Sequence, residues 1–156
     1  MLGRKSNYKL TGRIATVENF TVFTHFERLA TGISLAIYTN GRLSKRTLTW
    51  LASQAAHGLE IVHVGDYDPT GLDEYRRFRQ ACSNVSLFLW PNLSHLFDTY
   101  GNRKLLCRAR SQAILQRLRS VDDPALQTVL SLVDQTSSCL EHESLLIGEK
   151  IVPHNT

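Results

Sequence analysis

Three carboxylates stand where chemistry could use them. Asp66 and Asp68 lie one residue apart in IVHVGDYDPTGLDEY, residues 61–75, directly after an apolar, β-branched run that ends at Gly65. Glu18 closes an earlier run of the same kind, RIATVE at 13–18. If those two strands are neighbours, all three acids share one edge of a sheet. Gathered anions raise one another's pKa, and a divalent cation removes that cost. Hard oxygen ligands with room for water suit Mg²⁺ or Mn²⁺, and such an ion can activate water and neutralise charge on a phosphate oxygen. Gly65 and Gly71 flank the pair and would permit tight turns and close approach of a phosphate backbone. Residues 66–71 alone also read as a solvated turn, with Asp68 capping the next helix. Glu18 at the end of a second strand turns the reading toward a metal site. Asp73 and Glu74 fall in the first turn of that helix, where acids suit the dipole without any further role.

The elements that must position these acids follow from periodicity. After the strand at 13–18, Asn19 caps a helix through Phe23, Phe26 and Leu29/Ala30 that Thr31-Gly32 stops. A second strand at 33–38 closes at Thr39-Asn40-Gly41. Ser44 caps a helix through Leu48, Leu51, Ala52 and Ala55, ended by Gly58. The third strand, 61–64, leads to a helix from Leu72 to about Ala81, and a fourth strand, 85–90, is broken by Pro91. This alternation predicts an α/β fold with a mainly parallel four-stranded sheet and helices on both faces, in which ligands gather at the carboxyl ends of the strands. The C-terminal third reads as helical, about 93–100, 108–120 and 124–137, with CLEHESLLIGEK as a last helix. We expect a lead-in at 1–12, one domain over 13–150 and a tail at 151–156.

Here the motifs reach a known family. VENFTVF at 17–23, followed by HVGDYDPTGL at 63–72, resembles the Toprim domain, the metal-binding catalytic fold of topoisomerases, primases and several nucleases. Glu18, Asp66, Asp68 and Gly71 match its pattern of a glutamate after the first strand and a DxD after the third. The GDxDPxG form is similar to the archaeal type IIB topoisomerase A subunit. It is closer still to the JetD-like nuclease subunit of Wadjet anti-plasmid systems, and CLEHES at 139–144 looks like the acidic element near that group's C-terminus. The resemblance implies that Glu18 is a ligand or general base, that Asp66 and Asp68 bind Mg²⁺, and that Glu141 or Glu143 completes a second metal position. On a helix, i and i+2 do not share a face, so one of those two would point inward. It further implies a bacterial, cytoplasmic protein that cuts DNA beside an SMC-like, kleisin-containing motor complex. A domain this small is expected to need a partner or a second copy to cut well.

Related topoisomerases attack DNA with a tyrosine on a separate winged-helix domain. Tyr8, Tyr38, Tyr67, Tyr75 and Tyr100 read instead as core or surface aromatics, so hydrolysis by activated water fits better than a tyrosyl linkage. Arg42, Lys45 and Arg46 follow the second strand, which sets them on the same sheet edge as the acids and makes them the candidates for gripping a DNA phosphate. His63 inside the third strand reads as packing against a helix. His25 and His142 have bland readings as well. Among Arg76, Arg77 and Arg79, at least one is expected to face solvent.

Composition agrees with one globular domain: 156 residues, 42% hydrophobic and 21% charged, a balance unlike that of disordered chains. The net charge of +4 is compatible with nucleic acid without requiring it. No apolar run approaches the roughly 18 residues that cross a bilayer, and MLGRKSNYKLTGR lacks the apolar stretch of a signal peptide. Cys82, Cys107 and Cys139 share no metal or disulfide spacing and read as buried thiols. Two alternatives to the nuclease stand beside it. One is a non-catalytic module of the same fold that binds DNA or a partner. The other is a DxDxT phosphatase, in which Asp66 would be the nucleophile, although that family sets the motif on its first strand and leaves Glu18 without a role.

Overall fold

The computed structural model describes residues 9–29 and 32–147. Four parallel strands form the sheet in the order β2-β1-β3-β4: β1 Arg13–Val17, β2 Leu35–Tyr38, β3 Glu60–Val64 and β4 Val85–Leu87. The two motif strands are therefore the central pair, in register from Arg13↔Glu60 to Val17↔Val64. Both are buried on both faces, the usual state of parallel strands covered by crossover helices. Ile14 and Ile61 point into the larger core with Leu48 and Leu51 of α2 (Lys45–Ala55) and with Leu72, Tyr75 and Phe78 of α3 (Pro69–Ala81). Ala15, Val17, Val62 and Val64 point the other way, against Val22 of the short α1 (Phe20–Thr24) and against Phe26. The helical remainder consists of α4 Leu93–Tyr100, α5 Ala109–Leu118, α6 Pro124–Thr136 and α7 His142–Ile147.

Several boundaries differ from the periodicity for local reasons. The first helix ends at Thr24, and a 3-10 turn at Phe26–Arg28 follows. The His25 ring takes up the Thr21 carbonyl at 2.9 Å while its own amide bonds Val22 at i−3, which tightens the turn and ends the α-helix. The expected end of that helix at Ala30 and Thr31 lies outside the described residues, as do Tyr8, residues 1–8 of the lead-in and residues 148–156. The second strand begins at Leu35 rather than 33. The fourth stops at Leu87 rather than 90, because β3 has ended and the Tyr67 hydroxyl replaces a neighbouring strand: it donates to the Phe88 carbonyl at 2.6 Å and accepts the Trp90 amide at 3.2 Å. The third helix starts at Pro69, three residues early, since Asp68 caps it and proline suits the first helical position. A 3-10 turn at Arg103–Leu106 was not foreseen. Of the three free cysteines, Cys82 and Cys139 are buried as expected, but Cys107 is exposed.

Candidate metal centre at the sheet edge

Parallel register sets the first contact of the site. With Val17 opposite Val64, the next residues, Glu18 and Gly65, face each other, and the Glu18 amide donates to the Val64 carbonyl at 3.0 Å. Glu18 and the loop carrying Asp66 and Asp68 thus leave the sheet side by side. Asn19 then caps α1 through the Val22 amide at 3.2 Å, which fixes the chain just beyond Glu18.

A third segment joins them. Tyr67, between the two aspartates, pairs with Leu140 in an isolated antiparallel bridge, and the neighbouring Asn102 pairs likewise with Cys139. This brings residues 139–141 alongside the DxD. The His142 amide donates to Asp66 Oδ1 at 2.7 Å, and Glu141, half-buried, accepts from Asn102 Nδ2 at 3.3 Å. Glu143 lies in the first turn of α7, exposed, and accepts from Thr21 of α1 at 3.2 Å. The two glutamates do not share a helix, since Glu141 precedes α7. Glu141 bears on both aspartates, whereas Glu143 bears only on Asp66. Asn102 had no signal in the sequence, because its role depends on the bridge.

The electrostatics are those of anions held close and partly out of water. Burial, then Asp66 and Asp68, push the Glu18 carboxyl up to about 7. Asp66 is pushed up to about 6 by burial, against the pull of the His142 amide, with Asp68, Glu141 and Glu143 adding to the rise. Asp68 is raised by burial too, opposed by the Gly71 and Thr70 amides. Oε2 of Glu18 is buried with no hydrogen-bond partner. Asp66 and Asp68 each give one oxygen to a backbone amide, Asp68 through Gly71 N at 2.7 Å. An all-oxygen set with mutual repulsion and an orphaned carboxylate oxygen fits a hard divalent cation. Among the described residues no three His, Cys, Asp or Glu side chains enclose such an ion.

The glycines serve the chain's own packing rather than turn geometry. Neither Gly65 nor Gly71 has a positive φ. A β-carbon on Gly71 would stand 2.3 Å from the Asp66 carbonyl oxygen, so the first turn of α3 can press on the DxD loop only without a side chain there.

The basic candidates divide. Lys45 and Arg46 are exposed in the first turn of α2, whose Ser44 cap binds the Thr47 amide at 3.1 Å. Arg42 is held by α3: its Nε is 3.0 Å from Glu74 Oε2, with Asp73 at 3.7 Å. Because α3 starts at Pro69, Asp73 and Glu74 fall in its second turn and are not the first-turn dipole acids expected. They are buried, and Glu74 also accepts the Leu43 amide at 2.8 Å, tying the loop before α2 to α3. Arg76, Arg77 and Arg79 each pair with an acid, at 2.8 Å with Asp73, 2.6 Å with Glu74 and 3.5 Å with Asp123, so none is a purely solvating charge. His63 packs on Tyr75 and Phe78 of α3 as expected, and His142 sits edge-on to Tyr67 and Trp90 in the core. Tyr67 and Tyr75 are buried, which keeps both from acting as nucleophiles.

A family model described as "Protein of unknown function C-terminus (DUF2399)" matches residues 3–145. The chain belongs to that family. None of the curated proteins matches it.

Proposed function

Taking membership of the DUF2399 family as the premise, we propose that this chain is a Toprim-type, Mg²⁺- or Mn²⁺-dependent DNA endonuclease of the JetD-like kind. The observation that carries the reading is the convergence of Glu18, Asp66, Asp68 and Glu141 from three separate segments at the carboxyl edge of β1 and β3. A purely structural turn has no use for so many coupled acids.

In this reading the oxygens of Asp66 and Asp68 left free by their backbone bonds would hold the cation, with Glu141 beside them. When bound, the ion neutralises charge on the scissile phosphate and makes a water more acidic. Glu18 would serve either as a further ligand or as the general base that takes a proton from the attacking water. Glu141, steadied by Asn102, completes the acidic rim, and Glu143 stands further out on α7. Lys45 and Arg46, at the positive end of α2, draw a DNA phosphate toward the edge. Arg42 shapes the loop beneath them and reaches the phosphate with its exposed side. The setting we propose is the bacterial cytoplasm, beside an SMC-like motor complex or with a second copy of the chain. No helix among the described residues is long and apolar enough to cross a membrane.

A second reading, a non-catalytic module, draws on the two aspartate oxygens committed to the His142 and Gly71 amides. Nicking of supercoiled plasmid separates the two. The nuclease nicks with Mg²⁺ or Mn²⁺, stops with EDTA and fails as Asp66→Ala. Wild type that binds DNA without nicking it, while Asp66→Ala binds as well or better, would sink the nuclease and favour the module.

A further inference from the structure

His63 and Glu18 face the same space above Gly65. His63 is buried in β3, and its Nδ1 lies 3.0 Å from the hydroxyl of Thr16, itself buried on the adjoining β1. Among the described residues neither Nε2 of His63 nor Oε2 of Glu18 has a hydrogen-bond partner. Both atoms aim at one point: a β-carbon on residue 65 would stand 2.7 Å from Nε2 and 2.8 Å from Oε2. The bare Cα of Gly65 is what leaves them room. Buried polar atoms seldom go unpaired, and a ring nitrogen and a carboxylate oxygen that both border Gly65 are complementary partners.

Charge fixes the direction of the chain. An ionised carboxylate only accepts, and a neutral imidazole has one N–H and one lone pair. With Glu18 ionised and the two groups paired directly, Nε2–H donates to Oε2, which leaves Nδ1 to accept from Thr16 O–H. Thr16 is buried and sits at the far end of this chain, so the chain has no outlet to solvent. It can orient a group, but it cannot conduct protons.

We propose that His63 is a positioning residue for Glu18: its Nε2–H, aimed by Thr16, pairs with Oε2 over Gly65 and leaves Oε1 for the sheet edge. This rests on the reading of Glu18 as a ligand or base. It assigns roles to His63, Thr16 and Gly65, and it explains why glycine stands ahead of the aspartates.

Ring-nitrogen NMR of the whole chain with ¹⁵N-labelled histidine tests it without metal or DNA. At a pH above about 7, where Glu18 is ionised, the expected result is a single neutral His63 tautomer protonated on Nε2. Glu18→Gln shifts the His63 ring signals and leaves those of His25, which bonds within α1, unmoved. Thr16→Val loses the single tautomer, and Thr16→Ser keeps it. In a Mn²⁺ titration Thr16→Val binds about tenfold more weakly, the low end of what outer partners of metal ligands contribute. A wild-type proton on Nδ1, or a His63 ring indifferent to Glu18→Gln, overturns the proposal. So does unchanged Mn²⁺ affinity in a Thr16→Val protein whose tautomer has changed. Wild type that neither nicks DNA nor binds Mn²⁺ would overturn the nuclease reading instead, with the ring signals still deciding this one.

Discussion

Tyr67 and Leu140 exchange both of their backbone hydrogen bonds, 2.9 Å from the Tyr67 amide and 3.1 Å from the Leu140 amide. Through this one bridge the loop after β3 acquires Glu141 as a neighbour, and the core acquires the Tyr67 ring, stacked on Phe97 and edge-on to His142. Folding stability and the composition of the acidic rim therefore share a determinant.

Leu140→Pro removes one of those donors and leaves the Tyr67 carbonyl unpaired. The expected loss of stability is at least about 1–3 kcal/mol, read by urea unfolding. Mg²⁺ should also protect this variant less than wild type, because Glu141 is no longer pinned beside Asp68. Full protection in a destabilised variant would mean that Glu141 contributes nothing to the ion.

The buried acids and the buried histidines should pull metal-free stability in opposite directions between about pH 4 and 7. Glu18 and Asp66 titrate at about 7 and about 6 in the folded chain, above their ordinary values of 4.5 and 3.8. The folded state thus binds more protons than the unfolded one through this window, and stability drops as pH rises across it. Buried His63 and His142, pushed down to about 4 and about 3 from 6.5, act in the opposite sense and lose stability as pH falls below 6.5. A cation at the acids relieves only the loss that the carboxylates cause. Thermal melts should show millimolar Mg²⁺ raising Tm by a few degrees near pH 8 and hardly at all near pH 5. Equal shifts at both values would place the ion elsewhere.

Glu18→Gln should separate stability from activity. Removing a charge that burial and two neighbouring acids oppose is expected to raise metal-free stability slightly near pH 8, by at most about 1 kcal/mol because the side chain is partly solvated. The same change should lower nicking by about 100-fold or more, as loss of a general base does. Paired urea and nicking measurements decide it. A variant that nicks like wild type excludes Glu18 from the chemistry.

The basic residues should behave as two classes. Arg42→Ala leaves buried Glu74 with Arg77 as its remaining cation, and should lower stability by about 1–3 kcal/mol. Lys45→Ala and Arg46→Ala should leave stability within about 0.5 kcal/mol. Each should reduce the salt dependence of DNA binding by about one phosphate contact. Binding isotherms over a salt series, with melts of the same proteins, check both classes. A Lys45→Ala, Arg46→Ala double variant with unchanged DNA affinity would remove the end of α2 from the interface.

Much of this molecule was legible in its sequence because the signals are local. Alternating apolar runs and caps placed four strands and most helices, and a parallel α/β sheet follows from that order alone. Asp66 and Asp68 were fixed by the strand before them and the helix after them, and Glu18 by the end of its own strand. Why acids so placed could suit a hard cation follows from their type and spacing. Where local signals competed, the boundaries moved, as at His25 and at Phe88–Trp90, where a ring and a hydroxyl captured backbone groups.

Pairings between distant residues could be settled only by the tertiary structure. That β1 and β3 are neighbours, that the Tyr67–Leu140 bridge sets Glu141 beside the DxD loop, and that Arg42 is tied to Glu74 are facts of packing across long stretches of chain. The same holds for Gly65, whose reason is invisible until Glu18 and His63 are seen converging over it. A sequence carries the residue types and the local periods. Which side chains share a buried space is decided when the core closes, because only then are water and its hydrogen bonds excluded from around them.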